Sequence, residues 1–251
     1  MLISEIHPES LHFPDPSQAL EQPNGLLAVG GDLSPHRLIE AYRLGIFPWY
    51  SEDEPLMWWS PNPRAIITPA SLHTSRSLSR VLKKMDFEIR WNTAFDAVIQ
   101  ACAAPRTESP GTWIIPEMQS AYLRLHELKI AHSIEVWHKQ LLIGGLYGIS
   151  LGPFFFGESM FSAATNGSKI AVTSLVSTLA PFGFECLDCQ MMTNHLQTLG
   201  AFEEDRASFT GRLQTALMSP IDQTVSEENL PEQELIRNSV LNMYLGQVSS
   251  P

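Results

Sequence analysis

The chain has 251 residues, 44% of them hydrophobic and 17% charged, enough to bury a sizeable core as one large domain or two small ones. That balance excludes a disordered protein, no run of about 18 apolar residues indicates a membrane span, and Met1 to Glu5 lack the basic and apolar stretches of an export signal. A formal net charge of −11 excludes bulk non-specific binding to nucleic acid, and three cysteines (Cys102, Cys186, Cys189) are too few for a disulfide framework, so a cytoplasmic enzyme is expected.

Turns dominate the first 60 or so residues: Phe13-Pro14-Asp15-Pro16, Pro23-Asn24-Gly25, Gly30-Gly31-Asp32 and Phe47-Pro48-Trp49. Between them a helix is predicted from Pro35 to Leu44, with Ser34 as N-cap, Pro35 in its first turn and Gly45 closing it. Trp58-Trp59-Ser60-Pro61-Asn62-Pro63-Arg64 reads as a junction, because its prolines disfavour regular structure. After it come a strand from Arg64 to Thr68, a helix from Ser75 to Lys84, a strand from Phe87 to Trp91 and a helix from Thr93 to Ala103. A further helix, Pro116 to Glu127, leads into a meander of three strands: Ala131 to Trp137, Leu141 to Ser150 and Phe154 to Ser162. A helix from about Ser168 to Leu179, the strand Phe184 to Gln190 and a final helix, capped by Thr193 and ended by Gly200, complete the pattern. From Ser219 onward the chain is polar and acidic, with a short helix possible from Leu235 to Leu245. These alternations predict an α+β or mixed α/β fold around a largely antiparallel sheet. They divide the chain into a small N-terminal domain (1–62), a larger domain (63–218) and an acidic tail (219–251).

Charge is unevenly spread. From Arg64 to Arg90 six basic residues (Arg64, Arg76, Arg80, Lys83, Lys84, Arg90) face two acidic ones, while the rest of the chain carries 10 against 25. Arg76, Arg80, Lys83 and Lys84 fall on one face of the predicted helix. Such a face is ordinarily just solvated; phosphate contact is the alternative.

Four further patterns carry chemistry. In the strand Phe154 to Ser162, period-two alternation places Phe154, Phe156, Glu158, Met160 and Ser162 on one face, a carboxylate among large apolar groups. Either a core arginine pairs with Glu158, or the site takes an apolar ligand carrying a cation, such as the α-ammonium of an amino acid. In Cys186-Leu187-Asp188-Cys189-Gln190, followed by Asn194 and His195, strand geometry sends the two cysteines to opposite faces. That disfavours a metal or redox use of the C-x-x-C spacing. Trp49, Tyr50, Trp58, Trp59 and Trp113 are either core or, flanked by Pro and Gly, stacking platforms for an unpaired base. No G-x-x-x-x-G-K-[ST] or G-x-G-x-x-G motif occurs, so neither ATP nor a dinucleotide is indicated, and there is no G-x-S-x-G nucleophile elbow; the glycines of Leu142 to Gly148 read as sites of close backbone approach.

Together these pieces resemble the leucyl/phenylalanyl-tRNA–protein transferases. The matching stretches are Pro23 to Leu33, Gly45-Ile46-Phe47-Pro48-Trp49, Trp58 to Arg64, Gly111-Thr112-Trp113-Ile114, His132 to Trp137, Phe156 to Ser162 and Asp188-Cys189-Gln190, in family order over roughly residues 10 to 215. The resemblance implies a small N-terminal domain joined to an acetyltransferase-like (GNAT) domain. It implies transfer of leucine or phenylalanine, methionine less well, from aminoacyl-tRNA to the N-terminal Arg or Lys of acceptor proteins, marking them for N-end rule degradation. No cofactor, membrane or DNA partner is implied. By position, Trp49 and Trp113 would hold the 3′-terminal adenosine, and Glu158 and Met160 would line the aminoacyl pocket, with Phe155 and Ser162 also substrate-binding. Asp188 and Gln190 would sit at the reacting centre, and Arg76, Arg80, Lys83 and Lys84 would grip the acceptor stem. The expected mechanism has Glu158 binding the donor's α-ammonium, Gln190 orienting the attacking amine, and Asp188 fixing Gln190 and collecting a proton. Cys186 and the acidic tail depart from the family pattern. An acetyl-coenzyme A-dependent transferase is the rival reaction class, but its [RQ]-x-x-G-x-[GA] loop is absent; a protein that only sequesters tRNA ends is the non-enzymatic rival.

Overall fold

The structure, a computed structural model, describes residues 3–84, 86–105 and 112–218. The acidic tail and its predicted helix lie outside these residues, as does Gly111.

The N-terminal segment contains more strand than its turns suggested. β1 (Ser4–Ile6), β2 (Leu26–Gly30), β3 (Phe47–Pro48) and β4 (Met57–Trp59) form a four-stranded sheet in the order β1-β2-β4-β3, with α1 (Pro35–Arg43) between β2 and β3. β1, β3 and β4 have only two or three residues, too few to show a period, and β2 is enclosed by turn residues, so pairing across the chain defines them. Trp58 is fully buried and donates from its indole nitrogen to the Gly30 carbonyl at 2.9 Å. Trp59 donates likewise to Trp49 O at 2.6 Å.

The second sheet begins at β5 (Arg64–Ile67). It continues through α2 (Arg76–Lys84), β6 (Glu88–Trp91), α3 (Phe95–Ala103), α4 (Pro116–Glu127), β7 (Ala131–His138), β8 (Leu141–Leu151), β9 (Phe154–Ser162) and α5 (Gly167–Leu179). β10 (Cys186–Gln190), α6 (Asn194–Gln197), β11 (Phe202–Glu204) and α7 (Arg206–Met218) follow. The predicted helices and the meander appear within a few residues of their expected bounds. The helix capped by Thr193 is not the last element, however: β11 and α7 come after it. α7 escaped detection because only Phe209, Leu213 and Ala216 of it are buried, which leaves a weak apolar stripe.

Seven strands pair in the order β11-β5-β10-β9-β8-β7-β6, all antiparallel except β9 with β10. Buried apolar residues cover both faces. One cluster joins the N-terminal unit to the sheet, combining Tyr42, Phe47 and Trp59 with Tyr147, Phe154, Phe156 and Phe209. The other packs α2 and α5 against the opposite face through Leu78, Leu82, Phe155, Val172 and Leu187.

Two features of this sheet shape the site. The parallel pair is in register only from Cys186↔Phe154 to Asp188↔Phe156, beyond which β9 and β10 part. In β9 the register to β8 slips between Tyr147↔Ser159 and Gly148↔Gly157, so Glu158 is the extra residue of a bulge. The bulge overturns the expected single face, because it inverts the alternation beyond it. Phe154 and Phe156 join the first cluster, whereas Met160, opposite Leu146, packs with the second. Gly144 meets the expectation of close approach: a Cβ there would lie 2.4 Å from the backbone of Gly167, where α5 begins.

Candidate active site

Where β9 and β10 diverge, a cavity of about 1060 Å³ opens. Its walls include Trp49 and Trp113, the β9 residues Glu158, Met160 and Ser162, and Gln190 at the end of β10. An apolar portion is formed by Leu146, Val172, Leu187, Cys189 and Leu196. Of the five aromatics singled out from the sequence, Trp49 and Trp113 stay partly exposed, while Tyr50, Trp58 and Trp59 are core. Trp49 is braced edge-on by Trp59 at 5.3 Å between ring centroids, a T-shaped contact that leaves indole surface available. Phe155 is fully buried among the α5-side cluster and does not reach the cavity, because strand alternation before the bulge turns it away.

Glu158 is 9% exposed and is ringed by hydroxyls instead of cations. Tyr42 Oη lies 2.7 Å from its Oε1 and Tyr122 Oη 2.7 Å from its Oε2, while Gln190 Nε2 donates to Oε1 at 3.3 Å. Burial is the largest influence and raises the carboxyl from its ordinary 4.5 to about 7; nearby Asp188 adds to it, and two tyrosine hydroxyls oppose it only if both donate to an ionised carboxylate. Burial, with the Glu158 charge, holds the hydroxyls of Tyr42 and Tyr122 well above the usual phenol range, so both keep their protons.

Asp188 is handled in the opposite way. Fully buried, it takes a two-pronged pair from Arg64, with Nε to Oδ1 at 2.8 Å and Nη2 to Oδ2 at 2.6 Å. Its Oδ1 also accepts from the main-chain N–H of Gln190 at 2.9 Å. The residue does not line the cavity, so its reach to reacting atoms runs through Gln190. Gln190 itself has φ of 59°, a left-handed conformation costly outside glycine, and the Asp188 bond holds it there. The sequence places Arg64 in the basic stretch from Arg64 to Arg90. It is 1% exposed and serves Asp188, Gly45 O at 3.0 Å, and the rings of Phe47 and Phe209, whose centroids lie 5.0 and 4.9 Å away. Gly45 has φ +71°, and a Cβ there would crowd Phe209 and Thr210 at 3.2 Å, so the turn that offers this carbonyl needs glycine.

Arg76, Arg80, Lys83 and Lys84 do lie exposed on α2, whose other side buries Leu78 and Leu82, and they stand apart from the cavity lining. Arg90 belongs to a separate pair with Glu88 at 2.8 Å. Cys186 packs in the first cluster and Cys189 against the second, so they occupy opposite faces. Among the described residues no group of three or more His, Cys, Asp or Glu is arranged to hold a metal. No helix of the described residues is long and apolar enough to cross a membrane.

Sequence reasoning missed Tyr42, Tyr122 and Arg64 as site residues. None carries a local signal, since their partners lie 116, 36 and 124 positions away. It also missed a polar chain on the cavity wall, in which Ser162 Oγ donates to Ser168 Oγ at 2.9 Å and the latter lies 3.3 Å from His195 Nε2.

Two family models match in tandem. The one described as the leucyl/phenylalanyl-tRNA protein transferase N-terminal domain covers residues 31–62, and the one described as leucyl/phenylalanyl-tRNA protein transferase covers 66–214. The leucyl/phenylalanyl-tRNA–protein transferase of Azotobacter vinelandii is 54% identical over 212 residues, 84% of this chain and 94% of that one. That of Aromatoleum aromaticum is 57% identical over 201 residues, 80% of this chain and 85% of that one. Among solved structures, a functionally unknown conserved protein from Staphylococcus epidermidis aligns with a TM-score of 0.40 at 10% identity, over 72% of this chain and 68% of that one. A likeness that distant carries no argument. The sequence matches take in most of the cavity-lining residues and most of the chain, and the chain belongs to the leucyl/phenylalanyl-tRNA–protein transferase family of enzymes.

Proposed function

We propose that this enzyme transfers leucine or phenylalanine, and methionine less well, from aminoacyl-tRNA to the N-terminal Arg or Lys of acceptor proteins, marking them for N-end rule degradation in the cytoplasm. The observation that carries the reading is a single cavity offering two accessible indoles, an apolar slot and a buried carboxylate without a cationic partner of its own. An aminoacyl-adenosine end presents the complementary groups: a base, an apolar side chain and an α-ammonium. A volume of about 1060 Å³ also leaves room for an acceptor amine.

In this reading Trp49 and Trp113 hold the adenine, Met160 shapes the slot with Leu146 and Val172, and Ser162 contributes to its polar wall. Glu158 receives the α-ammonium. The acceptor's α-amine has a pKa of about 7.7–8.0, so a useful fraction is neutral near pH 7 and a strong base is unnecessary. Gln190 Oε1, with no protein hydrogen bond among the described residues, is free to accept from that amine and align it with the ester carbonyl. Asp188 is a positioning residue here, holding the Gln190 backbone against Arg64. The amine loses one proton as the peptide bond forms, and the departing ribose 3′-oxygen gains one. The exposed basic face of α2 suits the acceptor stem, and Phe155 supports the site from the core. The acetyltransferase-like reading of the larger unit rests on its mostly antiparallel sheet, covered on both faces and opened at one parallel pair.

The direct test mixes purified enzyme, radiolabelled Leu-tRNA and a peptide beginning with Arg, without ATP or coenzyme A. Label on the peptide is expected; bound tRNA with no transfer would reduce the chain to a tRNA-end binder.

A further inference from the structure

The hydroxyls around Glu158 also touch each other. Tyr42 Oη and Tyr122 Oη lie 2.6 Å apart, and each is 2.7 Å from a different oxygen of the carboxyl group. Three short oxygen–oxygen contacts therefore close a ring through the Glu158 carboxyl. Each contact at such a distance calls for one proton. The two phenols supply two, and a carboxylate supplies none. With Glu158 ionised, one contact would set lone pair against lone pair. With Glu158 protonated, the carboxyl O–H donates to Tyr122, Tyr122 to Tyr42 and Tyr42 back to the carbonyl oxygen, and every contact is satisfied.

We infer that the empty site holds a third proton on the Tyr42–Tyr122–Glu158 ring, and that an amine cation docking in the cavity displaces it. In the displacement Glu158–COOH and R–NH₃⁺ become Glu158–COO⁻ paired with R–NH₃⁺, and one proton passes to water. Tyr42 and Tyr122 are thereby positioning residues, acting on the substrate only through the carboxyl. The inference rests on the substrate reading above for the docking step and not for the ring.

The surroundings fit a neutral group. Facing Glu158 are Tyr42 of α1, Tyr122 of α4, Tyr147 of β8, Gln190 and Asp188 of β10, and Arg64 of β5. The only full cation among them, Arg64, has its Nε and Nη2 committed to Asp188 and its Nη1 to Gly45, so it makes no hydrogen bond to Glu158, and its charge there is opposed by that of Asp188. Tyr147 Oη is buried with no hydrogen-bond partner among the described residues and adds no charge. A permanently ionised carboxyl here would be a buried charge without a counter-ion, the costly arrangement, whereas a neutral acid needs only hydrogen bonds.

Difference infrared spectroscopy on the full-length, unliganded enzyme tests the ring. A protonated-carboxyl C=O band, assigned by its loss in Glu158→Gln, is expected at pH 6 and should vanish as pH rises through about 7. Tyr42→Phe and Tyr122→Phe decide the cause. If the tyrosines merely solvate a carboxylate, removing one raises the midpoint. If the ring favours the acid, removing one lowers it, by about one pH unit for a single hydrogen bond. Absence of the band at pH 6, or an unmoved or raised midpoint, overturns the ring. The docking step is read with adenosine carrying leucine through a stable 3′-amide link, titrated calorimetrically at pH 6 in two buffers of different ionisation enthalpy. Release of close to one proton per ligand, with loss of the band, is expected. Binding without proton release overturns the displacement. No binding in a chain that shows the band overturns the substrate reading and the displacement together, and leaves the ring standing.

Discussion

Two carboxylates stand side by side at the heart of this enzyme, and the fold treats them differently. Asp188 is locked by a guanidinium across two short bonds and further held by a backbone N–H, with no surface on the cavity. Glu158 lies on the cavity wall and is held only by hydroxyls and an amide. The first arrangement fixes geometry: its charge is matched inside the protein, so it asks nothing of a ligand. The second leaves a position where a cation can be accepted, because no cationic side chain bonds it. A bulge in β9 aims Glu158 into the opening between β9 and β10, and the parallel register sets Asp188 beside Phe156 just before that opening.

The contrast between them breaks most sharply at Asp188. Asp188→Ala leaves Arg64 buried without its carboxylate and should cost about 3–5 kcal/mol in urea or guanidinium unfolding. A loss under about 1 kcal/mol would mean that the pair is not the lock described here. Replacing both members, Arg64→Met with Asp188→Leu, should recover most of that stability yet leave transfer impaired, since Gln190 would lose its anchor.

Glu158 responds to pH because burial raises its carboxyl. Below about pH 4.5 its carboxyl is protonated in both folded and unfolded chains. Between 4.5 and about 7 the folded chain keeps a proton that the unfolded chain has lost, so this residue's contribution to stability falls as pH rises through that window. Above 7 both states are ionised and the dependence stops. Glu158→Gln preserves the ring's donors and acceptors while removing the titration. Relative to it, the parent should lose about 3 kcal/mol between pH 4.5 and 7. Parallel stability curves for the two proteins would defeat the assignment. The same variant should lower transfer roughly 10–100-fold through its lost charged hydrogen bond, seen in kcat/KM for Leu-tRNA.

Away from the carboxylates, effects should shrink. Trp49→Ala or Trp113→Ala should weaken binding of the aminoacyl-adenosine probe by about 1–3 kcal/mol each, the usual worth of a base stacked on an aromatic ring. An unchanged dissociation constant would separate the indoles from adenine recognition. Neutralising Arg80, Lys83 and Lys84 to Gln should alter affinity for tRNA modestly and flatten its dependence on log salt by about 0.7–0.9 for each phosphate no longer neutralised. A slope equal to the parent's would take α2 out of the tRNA interface.

Much of this was legible from local pattern. Periodicity located α2 to α5 and the β7-β8-β9 meander, because each uses enough residues for an apolar face to repeat. Glu158 stood out because a carboxylate amid phenylalanines in a strand is anomalous on its own. The single face running from Phe154 to Ser162 did not survive, although Glu158, Met160 and Ser162 still line one cavity, since a one-residue bulge inverts alternation and leaves no compositional mark. β1, β3, β4 and β11 are hidden because strands of two or three residues are defined by their partners, and β2 because turn residues enclose it.

What the sequence determined alone was the set of long elements, the acidic body with its basic helix, and which groups were chemically out of place. Tertiary structure decided what those groups touch. Arg64 reads as one more cation in a basic run until β5 pairs with β10 and brings it to Asp188, 124 residues on. Tyr42 reads as helix filler until the shared core carries it to Glu158, 116 residues on. Charge and hydrogen bonding act over a few ångströms, and only folding sets which residues share them.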